Sequence, residues 1–423
     1  MATWPKVKLA DSVNLLAGFP FKSHQFTDKP DDVPLVKGEN VSQGCILWDI
    51  SKRWPASDWE KMEKFHLLPG DVVIAMDRPW IPAGLKWSFI RSGDPKSLLV
   101  QRCARLRSSN GRLDQNFLRF VIGGPGFESY VKPITTGVNV PHISGQQILN
   151  FEFTLPPLPV QRRIAGILSG YDELMENSQR RIRLLEAMAR ALYREWFVHF
   201  RFPGHEKHPR VASPLGDIPQ GWEVTELAKV CADGKGIQTG PFGSQLHEAD
   251  YSDEGVPVVM PKDLIGFRIR TDSIARIPEA TADKLSRHRM QPGDIVYGRR
   301  GDIGRRAFVM SHQTGWFCGT GCLRIRPNPR LVDGWFLFNY LGQDDVVGLI
   351  QGRAQGVTMP NLNTGVLSSV PVRLPPRKLQ DDFGRLTFPM AEAREALTAK
   401  IENLRRTRDL LLPRLLSGQI HLA

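Results

Sequence analysis

The sequence predicts an α+β protein in which two tandem mixed α/β domains alternate with two long helices, paired as an antiparallel coiled coil. Three observations carry that expectation. The chain is duplicated, the first part of each copy is a series of short apolar runs punctuated by Gly and Pro, and the second part carries apolar residues at heptad spacing.

The duplication is read by aligning the chain with itself. Gly137-Val138-Asn139-Val140-Pro141-His142-Ile143 returns 219 residues later as Gly356-Val357-Thr358-Met359-Pro360-Asn361-Leu362, and Leu155-Pro156-Pro157 returns in the same register as Leu374-Pro375-Pro376. Gln161 with Gln380, Ile182 with Ile401, Leu185 with Leu404 and Leu192 with Leu411 keep that offset. Upstream, Pro69-Gly70-Asp71-Val72-Val73 matches Pro292-Gly293-Asp294-Ile295-Val296, and Pro20-Phe21 matches Pro241-Phe242, with small drifts that loop insertions explain. A unit of about 220 residues is too long for a solenoid repeat and suits a domain with an appendage. The segments are a first domain, 1–155, a central spacer helix, 156–200, a linker, 201–219, a second domain, 220–374, and a C-terminal spacer helix, 375–423.

Within the domains, runs such as Val72 to Ala75, Leu98 to Val100 and Ile295 to Tyr297 read as strands, and Asp114 to Val121 and Asp333 to Leu341 as helices. The Pro-Pro steps cannot lie inside a helix but suit the residues before one. From Gln161 to about Phe200, one row of apolar or small positions is Tyr171, Ser178, Leu185 and Leu192; another is Leu168, Met175, Ile182, Ala189 and Trp196. In the second copy Phe383, Met390, Leu397, Leu404 and Leu411 are spaced by sevens, with Ile401 on the same face, and Pro389 and Pro413 are expected to limit that helix to about Met390 to Leu412. Each helix could pack on its own domain. A narrow 3.5-residue seam favours the two pairing with each other, and a 40-residue helix would be about 60 Å long. Residues 201–219, with Pro203, Pro209, Pro214 and Pro219, read as an exposed linker.

Composition bounds the function. The 423 residues are 41% hydrophobic and 24% charged, a globular balance, and the net charge is +12. Of the cations 38 are Arg and 18 Lys, and the planar Arg fork suits phosphate and guanine edges. The surplus is diffuse, with no basic tail. No apolar run approaches the 18 to 20 or so residues of a spanning helix. The start, Met1-Ala2-Thr3-Trp4-Pro5-Lys6, has no secretion-type apolar segment, and five Cys make no disulfide framework, so a cytoplasmic location is expected.

Catalytic patterns are missing: no phosphate-binding loop, nucleophile elbow, His-Glu-x-x-His or amino-methyltransferase motif occurs, so no enzyme is expected. Cys318 and Cys322 with His312 lack a fourth ligand at suitable spacing, and no metal site is assigned. The best functional feature is Arg299-Arg300-Gly301-Asp302-Ile303-Gly304-Arg305-Arg306, where Gly permits close approach to a duplex and Arg can grip phosphates or base edges. A solvated hairpin is the competing reading. The matching place in the first copy has Arg78, Gly84, Lys86 and Trp87, as expected if the copies read different sequences. Further candidate DNA contacts are Lys22, Ser23, His24 and Gln25, then Lys235, Gln238, Ser244 and Gln245, and a third polar cluster with Gln351, Arg353, Gln355, Thr358 and Asn361. Any one of them could be an ordinary surface residue.

Taken together, the duplication, the Pro-Phe elements, the Leu-Pro-Pro closures, the Gln161-Arg162-Arg163-Ile164-Ala165-Gly166-Ile167-Leu168 helix start and the Leu411-Leu412-Pro413-Arg414-Leu415-Leu416-Ser417-Gly418 ending resemble the specificity subunit of type I restriction-modification systems. The resemblance implies two target recognition domains, each reading half of a bipartite, asymmetric double-stranded target, on a helix pair that sets the gap. It implies a chain without catalysis or cofactor of its own. Two modification subunits would supply S-adenosylmethionine and adenine-N6 methylation, and restriction subunits ATP- and Mg-dependent translocation and cleavage. Gln380-Asp381-Asp382-Phe383 and Pro389 depart from the family pattern and bear on the length of the second helix. Two other readings are an orphan specificity subunit serving a methyltransferase without restriction and a coiled-coil scaffold whose domains bind proteins.

Overall fold

The computed structural model describes residues 4–137, 141–232, 236–242, 245–354 and 361–420. Two compact units interleave along the chain: residues 1–180 join 397–423, and residues 181–396 form the other. Each long helix therefore gives part of its length to each unit.

The first unit opens and closes on an antiparallel ladder of Lys6–Lys8 with Glu152–Thr154, which delivers the chain to Leu155-Pro156-Pro157. Between them lies an antiparallel sheet ordered Val13–Ala17, Cys103–Ser108, Val72–Ala75, Trp87–Phe89. A second sheet is ordered Arg53–Trp54, Val33–Val36, Ser97–Leu99, His66–Leu67, with the middle two strands parallel. Val72–Ala75 is buried on both faces, which is why it reads as an unbroken apolar run instead of alternating. The preceding Pro-Gly-Asp turn takes a positive φ at Gly70. Its Asp71 carboxylate accepts the Leu68 N–H at 2.7 Å and both arms of the Arg107 guanidinium at 2.7 Å.

The second unit repeats this plan. Glu223–Glu226 pairs with Pro371–Leu374, and the main sheet runs Ile237–Thr239, Cys322–Ile325, Ile295–Gly298, Arg306–Phe308. A smaller sheet runs Ala275–Ile277, Val256–Val259, Phe317–Cys318, its last pair parallel. Asp294 repeats the role of Asp71, accepting the Gln291 N–H at 2.8 Å and the Arg326 fork at 2.8 and 2.7 Å. Helices Gln115–Ile122 and Gly334–Tyr340 are capped by the side chains of Asp114 and Asp333. Residues 201–219 include a short ladder of Arg210–Val211 with Ile218–Pro219, and Phe202 and Ile218 bury in the core around Trp222.

The long helices are Leu158–Tyr193, followed by a π-helical turn at Arg194–Val198, and Arg377–Leu416. They lie side by side and antiparallel within each unit. In the first, Ile164, Ala165 and Leu168 share a core with Leu412 and Leu415, and further on Asp172 meets Arg408 at 2.8 Å. In the second, Glu186 lies 3.8 Å from Arg394, and the ring of Tyr193 is 5.6 Å from that of Phe383. Of the proposed seam, Leu168, Leu397 and Ile401 are buried, and Tyr171, Met175, Ile182, Leu185, Leu192, Met390, Leu404 and Leu411 half-buried. The expected break at Pro389 and Pro413 is corrected: both lie inside the 40-residue helix. Each removes one backbone donor at a cost of about 3 kcal/mol. Burial of Phe383, Leu397, Ile401 and Leu415 on either side of them holds the helix together.

One buried titratable group gives a pH test. His288 is almost fully buried and its Nε2 takes the Arg287 Nε–H at 3.0 Å, so burial first, and the Arg287 charge second, depress it to about 4. Because the folded value lies below the ordinary 6.5, its contribution is complete above pH 6.5 and is lost as the pH falls towards 4. Thermal melts from pH 7 to pH 4 should show His288→Phe losing less stability on acidification than the natural protein.

Candidate nucleic-acid interface

In each unit three segments distant in sequence are tied together by backbone hydrogen bonds. In the first, the Phe19 N–H reaches Leu99 O at 3.0 Å and the Gln101 N–H returns to Phe19 O at 2.8 Å, so the Pro-Phe element lies beside the turn that holds Arg102. The Met76 N–H bonds Arg102 O at 2.7 Å, and the Arg78 N–H bonds Pro141 O at 2.7 Å. Asp77 then organises the side chains, with Arg102 Nη1 at 3.0 Å and His142 Nδ1 at 2.5 Å from its two oxygens. Arg78 and Arg102 both adopt left-handed backbone, which non-glycine residues seldom do, and both are exposed. Lys86 lies close by, and burial holds its ammonium below the usual lysine range. Lys22, Ser23, His24 and Gln25 are exposed on the single turn that follows Phe21.

The second unit builds the same junction from other residues. Thr320 Oγ1 donates to Pro241 O at 3.0 Å and the Gly240 N–H to Cys322 O at 2.9 Å. The Arg299 N–H bonds Gly321 O at 2.8 Å, and the Leu362 N–H bonds Arg299 O at 2.9 Å. Arg300 and Asn361 face each other in an antiparallel bridge. The Arg299 guanidinium donates to Leu362 O at 2.9 Å and stands 5.8 Å from the ring centre of Phe242, which is 55% exposed although its counterpart Phe21 is buried. Gln245 and Arg300 are exposed, and exposed Arg305 bonds Asp302 at 2.9 Å. The folding thus brings together the Arg-Gly run and Asn361, assigned from sequence to separate clusters.

Several candidates stand elsewhere. Arg306 leaves the set of DNA contacts. It points inward, 7% exposed, its guanidinium between the rings of Phe267 at 4.7 Å and Phe338 at 5.0 Å, with Nε donating to Phe338 O at 3.1 Å. Burial lowers it to about 10, and Gly342 abuts it where a Cβ would collide. We expect Arg306→Met to lower the melting temperature without changing the salt dependence of DNA binding. Gln238 lies within the sheet and accepts from Arg324 Nη2 at 3.1 Å, and Arg353 is exposed and donates to Ser369 O at 3.2 Å. Lys235, Ser244 and Gln355 fall outside the described residues. Cys318 and Cys322 are buried thiols pushed upward by burial, Cys318 to about 12, and the described residues contain no cluster of three metal-ligating side chains. Sequence reasoning missed Arg102, which follows an apolar run with no pattern around it, and the part played by His142, quoted only as a repeat residue. No helix among the described residues is long and apolar enough to cross a membrane.

A family model, the type I restriction modification DNA specificity domain, matches residues 1–187. The chain is 25% identical over 399 residues to a putative type I restriction enzyme MjaX specificity subunit from Methanocaldococcus jannaschii, covering 92% of this chain and 87% of that one. It is 32% identical over 173 residues to the EcoAI specificity subunit of Escherichia coli, and 29% over 173 residues to the MjaVIII specificity subunit of M. jannaschii. Those two matches take in 41% of this chain and only 28% and 40% of the relatives' lengths. In fold, the type I restriction-modification system S subunit from M. genitalium superimposes with a TM-score of 0.66 at 15% identity, over 100% of this chain and 97% of that one. By the model matched over residues 1–187 and by these relatives, the chain is similar to type I restriction-modification specificity subunits.

Proposed function

We propose that this chain is the DNA-reading subunit of a type I restriction-modification complex and recognises a bipartite, asymmetric double-stranded target. The observation that carries the reading is one loop junction built twice with different side chains: Arg78, Arg102 and His142 in one unit, Arg299, Arg300 and Asn361 in the other. Two equivalent but unlike surfaces suit two unlike half-sites. Arg can take guanine O6 and N7 or phosphate, and Asn the adenine edge. The chain performs no chemistry in this proposal. Two modification subunits bind S-adenosylmethionine and methylate adenine N6, and a restriction subunit uses ATP and Mg to translocate and cleave, in the cytoplasm.

Titration of mixed duplexes from low to moderate salt tests the reading. Affinity should fall linearly on a log–log plot with a slope of several, because each neutralised phosphate releases a counterion. Absence of binding at low salt would leave the protein-binding scaffold.

A further inference from the structure

Two fully buried glutamines stand outside everything assigned so far, although the duplication singles them out. Gln161 is 0% exposed and Gln380 1%. Each sits four or five residues beyond a Pro-Pro step, in the first turn of its long helix, and each does the same work. Gln161 Oε1 accepts the backbone N–H of Asp114 at 2.7 Å, and its Nε2 donates to Pro156 O at 2.7 Å and to Arg112 O at 2.9 Å. Gln380 Oε1 accepts the N–H of Asp333 at 2.8 Å, and its Nε2 donates to Pro375 O at 2.7 Å. Asp114 and Asp333 are the residues whose carboxylates cap the domain helices Gln115–Ile122 and Gly334–Tyr340. A single amide therefore joins the start of a domain helix to the start of a long helix, in a site without water competition, where such bonds are strong and directional.

Around this joint the two copies have diverged. In the first, Arg119 donates to Ser169 Oγ at 2.8 Å and lies 3.6 Å from Asp172, which also pairs with Arg408 at 2.8 Å. At the matching places of the second stand Phe338, Phe388 and Ala391, and the neighbouring rings of Phe308, Trp335, Phe338 and Phe388 pack on each other at 5.2 to 5.9 Å. Ionic contact has become aromatic contact, yet the amide and both of its shared partners are the same.

We propose that Gln161 and Gln380 are positioning residues that fix where each DNA-reading domain sits on its long helix, and so hold the unread gap of the target to one length. The proposal rests on the DNA-reading function above. It predicts a separation of effects: the amide governs spacing, and the loops govern which bases are read.

The test is adenine methylation mapped across the genome of a host carrying the natural gene, Gln161→Met or Gln380→Met, with the natural partner subunits. Methionine keeps length and volume and removes both hydrogen-bonding atoms. The expected result is unchanged half-sequences with a relaxed gap, so that sites one base pair longer or shorter rise about tenfold above background, the scale of a lost buried hydrogen bond. Gln161→Glu and Gln380→Glu keep the acceptor oxygen, lose the donor, and give the same reading if a methionine variant does not accumulate. Methylation confined to the natural gap in variants that accumulate normally, or a change in the half-sequences with the gap intact, overturns the proposal. A natural gene that adds no methylated motif overturns the DNA-reading function itself, and is told apart by the natural arm alone.

Discussion

Asp294→Ala is expected to destabilise the second unit by about 1.5–3 kcal/mol, because it takes a buried carboxylate away from the partly exposed Arg326 guanidinium and from a backbone N–H. The carboxylate is 1% exposed and holds the Arg326 fork as well as the Gln291 N–H. After truncation the Arg326 guanidinium keeps Arg289 O at 3.2 Å, its one remaining hydrogen bond among the described residues. Asp294→Asn keeps the shape but meets the cation with an uncharged amide, and should recover only part of the loss. Asp71→Ala repeats the experiment in the first unit, where Arg107 is stranded. Denaturant unfolding reads the effect, and a loss below about 1 kcal/mol would show that the ion pair is not what holds the Pro-Gly-Asp turn to the sheet.

The second large effect is on binding. Arg299→Ala with Arg300→Ala should weaken duplex binding by about 10- to 100-fold at moderate salt and reduce the magnitude of the salt slope by about two, one for each phosphate contact removed. Arg300 is exposed, and its side chain makes no hydrogen bond or ion pair among the described residues. Arg299 donates to Leu362 O and stands over Phe242, so the single Arg300→Ala variant separates the electrostatic loss from movement of the Asn361 segment. A slope that stays put while affinity falls would mean that these arginines shape the loop and do not contact phosphate.

The helical seam was legible in the sequence because a 3.5-residue period survives any tertiary context that buries one stripe, and Leu168, Ile182, Leu397 and Ile401 mark it without help. The extent of the second helix was not legible. Proline penalties are local, and they lost at Pro389 and Pro413 to the burial of Phe383, Leu397 and Leu415. Arg306 was misassigned for a related reason. Four arginines in one short run look alike, and only pairing of Arg306 with Tyr297 in the sheet, with Phe267 and Phe338 on either side, turns it inward while Arg305 stays in solvent. Arg102 and His142 could not be joined to Arg78 by spacing, since a backbone bond across 26 residues and a side-chain bond across 65 bring them to Asp77. Gln161 and Gln380 were visible as a repeated pair, but their partners, Asp114 and Asp333, lie 47 residues upstream and only the fold reveals them.

The central claim is that one chain carries two readers for two unlike half-sites. It is tested most directly by mapping adenine methylation in a host with the natural gene and in one where Arg299, Arg300 and Asn361 are replaced by alanine, partner subunits present in both. The expected result is a motif of two different half-sequences for the natural gene, and relaxation of one half alone in the variant. Equal damage to both halves, or a motif with two identical halves, would contradict it.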